Sequence, residues 1–245
     1  WNRKRKAWNS LNLTIIGASH WIANCARSSS LFRELRVEVI PTGINIEKYR
    51  PIPQSIARNL LQLPQNKKII LFGAGIASDT RKGFHLLGPT LQELAQLKQQ
   101  DQLYLLTFGT SLQNFQTDLG FQSHNLGKLK DDLSLAIAYS AADVFVAPST
   151  QDNLPNTVME ALACGVPSVA FKIGGMPDMI DHCQNGYLAQ PFEIEDLAQG
   201  IAWVIEEPER HQKLSYNARQ KVEQEFTLQQ QGNRYLKLYE EILSR

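Results

Sequence analysis

The sequence predicts an α/β fold in which a Rossmann-like parallel sheet is flanked by helices. Short apolar runs rich in branched residues recur along the chain, and longer segments with helical periodicity separate them. Such runs are typical of parallel strands that are buried on both faces, and their alternation with helices indicates βαβ units. The chain has 245 residues, 43% of them hydrophobic and 20% charged, which allows one large domain or one domain plus part of another.

The predicted elements follow one another in order. The predicted strands are Leu13–Gly17, Val37–Ile40, Lys68–Gly73, Leu103–Gly109, Asp143–Ala147 and Pro167–Phe171, with a further short strand near Asn125. The predicted helices between these strands are Trp21–Leu35, Gly83–Gln99, Asp131–Ala141 and Asn156–Cys164. From Ile194 the strand pattern stops, and two or three helices are predicted over Ile194–Glu206, Glu209–Gln224 and Leu228–Leu243.

The order of the elements suggests where the domain boundaries lie. A Rossmann-like domain would begin with the strand near Lys68, so residues 1–40 are expected to be the end of a preceding domain. Residues 41–66 are rich in proline and are expected to form a hinge or linker. The main domain is then predicted over residues 67–226, and the final helix over residues 227–245.

Charge and cysteine content argue against several classes of protein. The 25 basic and 24 acidic residues give a net charge of +1, which is not the basic field of a nucleic-acid-binding protein. No apolar run approaches the length of a membrane span, and the basic start Trp1–Trp8 lacks the apolar stretch of a signal peptide. Cys25, Cys164 and Cys183 are widely spaced, so we expect no disulfide framework, no metal site and a reducing, cytoplasmic compartment.

Four ordered segments of the chain carry motifs. They are Ile40–Asn45, then Gly73–Gly75 with Arg81–Gly83, then Pro148–Pro167, and finally Gly174–Asp178 with Asn185–Leu188. In this order they are similar to the inter-domain hinge, the phosphate-binding loop, the diagnostic paired-acid stretch and the closing loop of one family. The chain therefore resembles the retaining glycosyltransferases of the GT-B fold, in the family called group 1 or family 4.

This resemblance implies an identity for each part of the chain. The GT-B fold has two Rossmann-like domains that face each other across a cleft, with the acceptor on the N-terminal side and the donor on the C-terminal side. Residues 1–40 would be the remnant of the acceptor domain, and Ser19–Trp21 resembles a motif near the end of that domain. Residues 67–226 would bind the nucleotide-sugar donor, and residues 227–245 would be the helix that crosses back.

Asp152 and Glu160 match the family's pair of acids, with Asp in place of the first Glu. The sequence places Asp152 in the loop after a strand and Glu160 inside the next helix, at the sheet edge where ligands bind in such folds. The resemblance assigns Glu160 to the ribose hydroxyls and Asp152 to catalysis beside the donor sugar. Without the flanking match, an ordinary loop acid and an ordinary helix-face glutamate would be about as plausible.

The helix that contains Glu160 is expected to begin with an anion site. The segment that would form this site consists of Asn153, Leu154, Pro155, Asn156 and Thr157. Pro155 suits the first turn because its missing N–H would have no partner there. The N–H groups that follow it point out of the helix end, where the helix dipole favours a diphosphate.

A second group of residues is expected to stabilise the leaving nucleoside diphosphate. The resemblance assigns Lys82 to this role, whereas Arg81 either assists or faces solvent. Many relatives carry Gly-Arg directly after the first strand of the domain, and this chain has Gly73-Ala74 there, so that arginine is missing. The resemblance also places the nucleobase against the backbone of Lys128 and Leu129, which does not distinguish uridine from guanosine.

The resemblance implies a retaining hexosyltransferase that uses a UDP- or GDP-sugar and needs no metal or other cofactor. The acceptor, a glycan or a lipid-linked sugar, would be recognised by the missing domain, so the chain alone is expected to bind the donor and to be inactive in transfer. The full enzyme would be cytoplasmic, with peripheral association at the inner face of the membrane left open. The alternatives are a GT-B-fold epimerase or phosphorylase acting on similar sugars, and a non-catalytic nucleotide-binding module.

The final helix carries a broad apolar stripe. Its members are Tyr235, Leu236, Leu238, Tyr239 and Ile242, which recur at helical spacing. Residues 1–40 bring further apolar side chains. We therefore expect these residues either to dock on the final helix or to cause self-association, because large apolar patches seldom stay exposed in monomers.

Overall fold

The described part of the chain forms two parallel sheets. The computed structural model describes residues 1–8, 11–76, 79–98, 100–110 and 120–244. A short helix, α1 (Asn2–Trp8), precedes a front sheet in which β1 (Thr14–Gly17) pairs with β2 (Arg36–Val39). Helix α2 (His20–Ser28) connects these two strands, so residues 1–40 contribute one βαβ unit.

The main sheet has six strands, and each neighbouring pair in it is parallel. Its strands are β3 (Lys68–Ile76), β4 (Leu103–Thr110), β5 (Gln122–Asn125), β6 (Val144–Ala147), β7 (Ser168–Phe171) and β8 (Gly186–Ala189). Its helices are α3 (Gln54–Leu60), α4 (Phe84–Leu97), α5 (Asp132–Ala141), α6 (Asn156–Ala163), α7 (Met176–Met179), α8 (Ile194–Glu206), α9 (Pro208–Glu225) and α10 (Leu228–Leu243). The strand order is β5–β4–β3–β6–β7–β8.

Both faces of the main sheet are buried. Along β3, Ile69 and Leu71 belong to one apolar cluster, which includes residues of α5, α6 and α9. Ile70 and Phe72 point to the opposite face and belong to a second cluster with residues of α4 and α8. Because side chains alternate along a strand, a continuous apolar run can fill two cores at once. The predicted parallel sheet between two helical layers is confirmed.

The predicted strands are also confirmed, with small differences at their ends. Strand β3 continues beyond the predicted Gly73 to Ile76, and β4 continues to Thr110. The other four predicted long runs agree with the structure to within one residue at each end. Helices α1, α3 and α7 have four to seven residues and were not predicted, because so few residues show no clear helical period.

Helix α2 ends well before its predicted end, whereas the other predicted helix ends that fall on described residues agree with the structure to within one residue. The helix predicted over Trp21–Leu35 ends at Ser28, and the hydroxyl of Ser29 then accepts a hydrogen bond from the N–H of Phe32, which forms a turn. The helix predicted over Gly83–Gln99 begins at Phe84, and its predicted end lies outside the described residues. Arg81 and Lys82 belong instead to a separate 3₁₀ turn before α4.

The segment predicted as a hinge contacts the end of the chain. The N–H of Ile44 donates to the carbonyl of Phe226 at 2.7 Å, directly before α10. From the front sheet, Arg36 Nη2 lies 2.6 Å from Glu241 Oε2 of α10. Residues 1–40 therefore do contact the final helix.

This contact covers only a small part of the predicted apolar stripe. Leu238 is buried, whereas Leu236, Tyr239 and Ile242 remain exposed. No helix in the described ranges is both long and apolar enough to span a membrane.

Candidate functional site

The candidate site lies where the strand order of the main sheet changes direction. From β3 the chain proceeds to β4 on one side, and from β6 it proceeds to β7 on the other. In open α/β sheets the crevice beyond the carboxyl ends of two such strands is the usual ligand site, because the two connections diverge there. The loops after β3 and β6 carry most of the residues predicted from the sequence.

The two loops are held together through their backbones. The N–H of Thr150 donates to the carbonyl of Arg81 at 2.8 Å. Gly83 adopts the left-handed region with φ of 69°, and a Cβ there would lie 1.7 Å from the carbonyl oxygen of Pro148. Only glycine fits both conditions, so Gly83 brings the Lys82 turn against the loop that contains Asp152.

Lys82 and Asp152, the two predicted catalytic residues, are in direct contact. Lys82 Nζ lies 2.7 Å from Asp152 Oδ2, with 32% of the lysine side chain and 15% of the aspartate side chain exposed. The other carboxylate oxygen, Oδ1, accepts a hydrogen bond from the N–H of Asn153 at 3.0 Å. The structure thus places a partly exposed cation beside a carboxylate that its own loop orients.

Arg81 and Gly73 have different environments from the Lys82–Asp152 pair. The guanidinium of Arg81 is 67% exposed and forms two hydrogen bonds with Asp79, at 2.7 and 3.0 Å. These bonds lower the pKa of the Asp79 carboxyl. Arg81 therefore faces solvent in this structure, and whether it assists diphosphate binding stays a prediction. Gly73 and Ala74 lie within β3, and a Cβ on Gly73 would meet the ring of Phe108 at 2.0 Å, so Gly73 has a packing role.

Helix α6 begins next to Asp152. Leu154 and Pro155 are buried, whereas Asn156 is exposed and Thr157 is half-buried. The first N–H groups of any helix lack partners within the helix, and Asn156 and Thr157 carry these groups here. The predicted anion site therefore faces outward, and the buried residues before it fix the direction of α6.

Asn153 has a partner that the sequence did not suggest. Its side-chain oxygen accepts a hydrogen bond from Ser19 Oγ at 2.5 Å, and Ser19 also caps α2. The next residue, His20, donates its N–H to Asp178 at 2.7 Å. Ser19 falls in the motif Ser19–Trp21, which suggested the chain's alignment with the family but not this contact.

Gly174 and Gly175 lie directly against the backbone of the loop that contains Asp152. A Cβ on Gly174 would lie 1.9 Å from the carbonyl oxygen of Asp152, and one on Gly175 would lie 1.6 Å from that of Asn153. The N–H of Gly175 also donates to the Asp152 carbonyl, at 3.2 Å. This glycine pair, in the segment that resembles the family's closing loop, thus allows two backbone segments to approach closely.

Glu160 lies about one turn into α6, on the side that faces α5, and is half-buried. Its Oε2 accepts a hydrogen bond from the hydroxyl of Tyr139 at 2.8 Å. Burial raises the pKa of Glu160 above its ordinary value, and the hydrogen bond from Tyr139 opposes that rise. Tyr139 was not predicted to belong to the site, because an aromatic residue among alanines in a helix is typical of core packing.

Lys128 and Leu129 lie in the loop between β5 and α5. The loop is anchored by Gly127, whose N–H donates to Asn125 Oδ1 at 2.6 Å and whose carbonyl accepts from the N–H of Gly109 at 2.8 Å. Lys128 is exposed and Leu129 is half-buried. Across the described ranges, no three His, Cys, Asp or Glu side chains come close enough together to hold a metal ion.

The arrangement as a whole provides two kinds of binding group. Lys82 and the N–H groups at the start of α6 attract negative charge. Asp152 and Glu160 are hydrogen-bond acceptors that suit hydroxyl groups. An anionic ligand that also carries several hydroxyls fits this combination.

Comparison with known proteins identifies the family. The family model for glycosyl transferases group 1 matches residues 54–221, which is more than half of the chain. A D-inositol 3-phosphate glycosyltransferase of Saccharomonospora viridis is 28% identical over 224 residues, covering 85% of this chain and 51% of the relative. A sulfoquinovosyl transferase of Arabidopsis thaliana is 35% identical over 100 residues, covering 40% of this chain and 19% of the relative.

Solved structures show the same fold. A sucrose-phosphate synthase from Thermosynechococcus elongatus superposes with a TM-score of 0.81 at 25% identity, covering 99% of this chain and 62% of the other. HepE of Anabaena, solved with UDP and glucose, gives 0.78 at 24% identity, covering 98% of this chain and 67% of the other. These neighbours confirm the predicted GT-B architecture.

The chain spans about half the length of the first curated relatives that it matches. The match of the family model nevertheless covers the loops after β3 and β6, helix α6 and the glycine pair. The chain belongs to the glycosyl transferases group 1.

Proposed function

We propose that this chain is the donor-binding part of a retaining hexosyltransferase that uses a UDP- or GDP-linked sugar without a metal ion. The observation that carries the proposal is the contact between Lys82 and Asp152 beside the start of α6, at the switch point of the sheet. A transferase of this class must stabilise a nucleoside diphosphate as it leaves. Here a lysine and a helix N-terminus supply the positive charge for that step.

In the proposed reaction, the bond between the anomeric carbon and the phosphate oxygen breaks, and the sugar develops positive charge. The hydroxyl oxygen of the acceptor forms the new bond on the same face, and its proton passes to the departing phosphate oxygen. The anomeric configuration is therefore retained. Lys82 exchanges its contact with Asp152 for one with the diphosphate, and Asp152 then turns to the hydroxyls of the donor sugar.

The neighbours support a nucleotide-sugar donor, since HepE was solved with UDP and glucose. We propose a glycan or a lipid-linked sugar as the acceptor, recognised by the part of the enzyme that lies outside this chain. The enzyme would work in the cytoplasm or at the inner face of the membrane. On this proposal, the chain by itself binds the donor and does not transfer the sugar.

A screen of thermal stability tests the proposal. UDP, GDP and ADP are added separately, together with their glucose or mannose conjugates. A ligand that binds only the folded state stabilises it by about 2.7 kcal/mol at 100 times its dissociation constant. We expect stabilisation by UDP or GDP, and the absence of any shift with all three diphosphates would contradict the proposal. For the full-length enzyme, a labelled donor should give labelled acceptor, whereas a labelled epimer of the donor would favour the epimerase alternative.

A further inference from the structure

Tyr139 is a buried side chain whose hydroxyl donates a hydrogen bond to Glu160. The ring is fully buried and meets Phe108 and Phe145 edge-on, with ring centroids 5.6 and 5.5 Å away. Its hydroxyl donates to Glu160 Oε2 at 2.8 Å. Packing by two aromatic rings fixes the direction of the tyrosine, and so fixes the position from which it donates to the carboxylate.

Burial and the neighbouring groups have opposing effects on the pKa of Glu160. Burial raises its pKa, the hydroxyls of Tyr139 and Tyr49 lower it, and the nearby Asp132 carboxylate raises it further. Cys164, which directly follows α6, is a buried thiol whose own pKa is raised by burial to about 12. Among the described residues, no lysine or arginine forms a salt bridge with Glu160, so hydroxyl donors are what opposes its protonation.

Tyr49, in the hinge segment, has another carboxylate as its hydrogen-bond acceptor. Its hydroxyl donates to Asp132 Oδ1 at 2.9 Å, and Lys48 Nζ lies 2.7 Å from Oδ2 of the same carboxylate. A phenol has a single O–H to donate. While Tyr49 donates to Asp132, Tyr139 is the donor that serves Glu160.

We propose that Tyr139 is a positioning residue that keeps Glu160 ionised and directs its second carboxylate oxygen to the ribose of the donor. The inference rests on the proposed function, in which Glu160 binds the ribose. With Oε2 occupied by Tyr139, Oε1 is left to accept from ribose hydroxyls. A protonated Glu160 would itself carry a hydrogen at one oxygen and would lose part of that acceptor capacity.

The test uses Tyr139→Phe, which retains the packed ring and removes only the hydroxyl. The matched control is Tyr187→Phe. The Tyr187 hydroxyl also donates to a carboxylate, Asp196 Oδ1, at 2.7 Å, but this hydrogen bond joins β8 to α8 and does not involve Glu160. The first readout is the titration of the Glu160 carboxyl carbon by NMR in the free protein. Loss of a hydrogen bond to a charged group should raise the midpoint by about one to two pH units. The control should leave it unchanged.

The second readout is the affinity for UDP, or for GDP if wild type binds only that nucleotide, measured by calorimetry across pH with pyrophosphate as the ribose-free probe. Affinity requires ionised Glu160, so it should fall as the pH drops through the pKa of this group. In Tyr139→Phe the fall should begin at higher pH, with roughly 10-fold weaker nucleotide binding near that midpoint and unchanged pyrophosphate binding. In a Glu160→Gln background, Tyr139→Phe should cause no additional loss.

The outcomes separate the inference from the function on which it rests. If wild type binds the nucleotide and Tyr139→Phe has the same pH profile, the inference is overturned and the proposed function stands. An unshifted Glu160 midpoint, or an additive loss in the Glu160→Gln background, also overturns it. If wild type binds neither nucleotide, the proposed function fails, and the ribose role of Glu160 and Tyr139 fails with it.

Discussion

Lys82 and Asp152 compensate each other's charge in the free protein. Their contact at 2.7 Å leaves about a third of the lysine side chain exposed, so a diphosphate can compete for the ammonium group without crossing a closed surface. A partly exposed pair of this kind contributes little to folding, because water screens it. Replacing either partner should therefore affect ligand binding more than stability.

Lys82→Ala should weaken the binding of UDP or GDP much more than that of the corresponding nucleoside. The lost hydrogen bond to phosphate is worth roughly 1.5–3 kcal/mol, or about 10- to 150-fold in affinity. Arg81→Ala is the matched control, since that neighbouring cation is exposed and bonded to Asp79. Calorimetry measures both variants. An equal loss of nucleoside and diphosphate affinity in Lys82→Ala would contradict the phosphate role.

Glu160→Gln should fold normally, because glutamine fits the same helix position with similar propensity. Its affinity for UDP or GDP should fall, whereas its affinity for pyrophosphate should stay the same, because only the ribose contact is changed. Circular dichroism checks folding and calorimetry checks the two ligands. A parallel fall for both ligands would show that Glu160 acts through the structure of α6 instead.

At the scale of single residues, the sequence predicted site residues that the structure brings close together. It did not predict the side chains that hydrogen-bond to them. Asp152, Lys82 and the start of α6 were predicted because their motifs are contiguous in sequence. Ser19 and Tyr139 contact Asn153 and Glu160 from 134 and 21 residues away. Side-chain contacts over such separations leave no local period or motif in the chain.

Glycines determine how closely the elements around the main sheet approach one another. In α8, a Cβ on Gly200 would lie 2.4 Å from the ring of Tyr187, which in turn packs against His182 and Trp203. In α10, a Cβ on Gly232 would meet nothing within 4 Å. The two glycines thus have opposite consequences for the helices that contain them.

Gly200→Ala should destabilise the protein by about 1–3 kcal/mol, because the added methyl group must displace a packed aromatic ring. Gly232→Ala should stabilise it by up to about 1 kcal/mol, because alanine is the better helix former and meets no neighbour. Urea unfolding of both variants provides the measurement. Equal effects of the two substitutions would show that the ring of Tyr187 does not restrict α8.

At the scale of elements, the prediction was accurate where the pattern was long or strongly apolar. Helices α8 and α10 begin and end where their periodicity predicts. The helix after β3 was placed too early, because the sequence does not show that Gly83 is left-handed and separates a 3₁₀ turn from α4. Turn geometry of this kind depends on the close approach of Pro148, which belongs to another strand's loop.

At the scale of the whole molecule, polar contacts join the front βαβ unit to the rest of the described chain. Ser19 contacts Asn153, His20 contacts Asp178, and Arg36 pairs with Glu241. Two of these contacts lie next to the candidate site, and the third lies on α10. Exposed apolar residues remain on α10, including Leu236 and Tyr239.

Deletion of residues 1–40 should change the oligomeric state or the solubility more than the nucleotide affinity. The deletion removes Arg36 from Glu241 and uncovers the region around Leu238, and newly exposed apolar surface costs about 25 cal/mol per Å². Sedimentation velocity measures the association, and calorimetry measures nucleotide binding. A deletion variant that stays monomeric and equally soluble but no longer binds the nucleotide would place the domain boundary elsewhere.

The most direct measurement of the central claim is a calorimetric titration of the unmodified chain with UDP and GDP, each with and without EDTA, and with uridine and guanosine as references. We expect one site that binds one of the diphosphates, binds its nucleoside much more weakly, and is unaffected by the chelator. Binding that disappears in EDTA would contradict a metal-independent site built from Lys82 and the start of α6. Equal affinity for diphosphate and nucleoside, or no binding of either, would contradict the assignment of this chain as the donor-binding part of the enzyme.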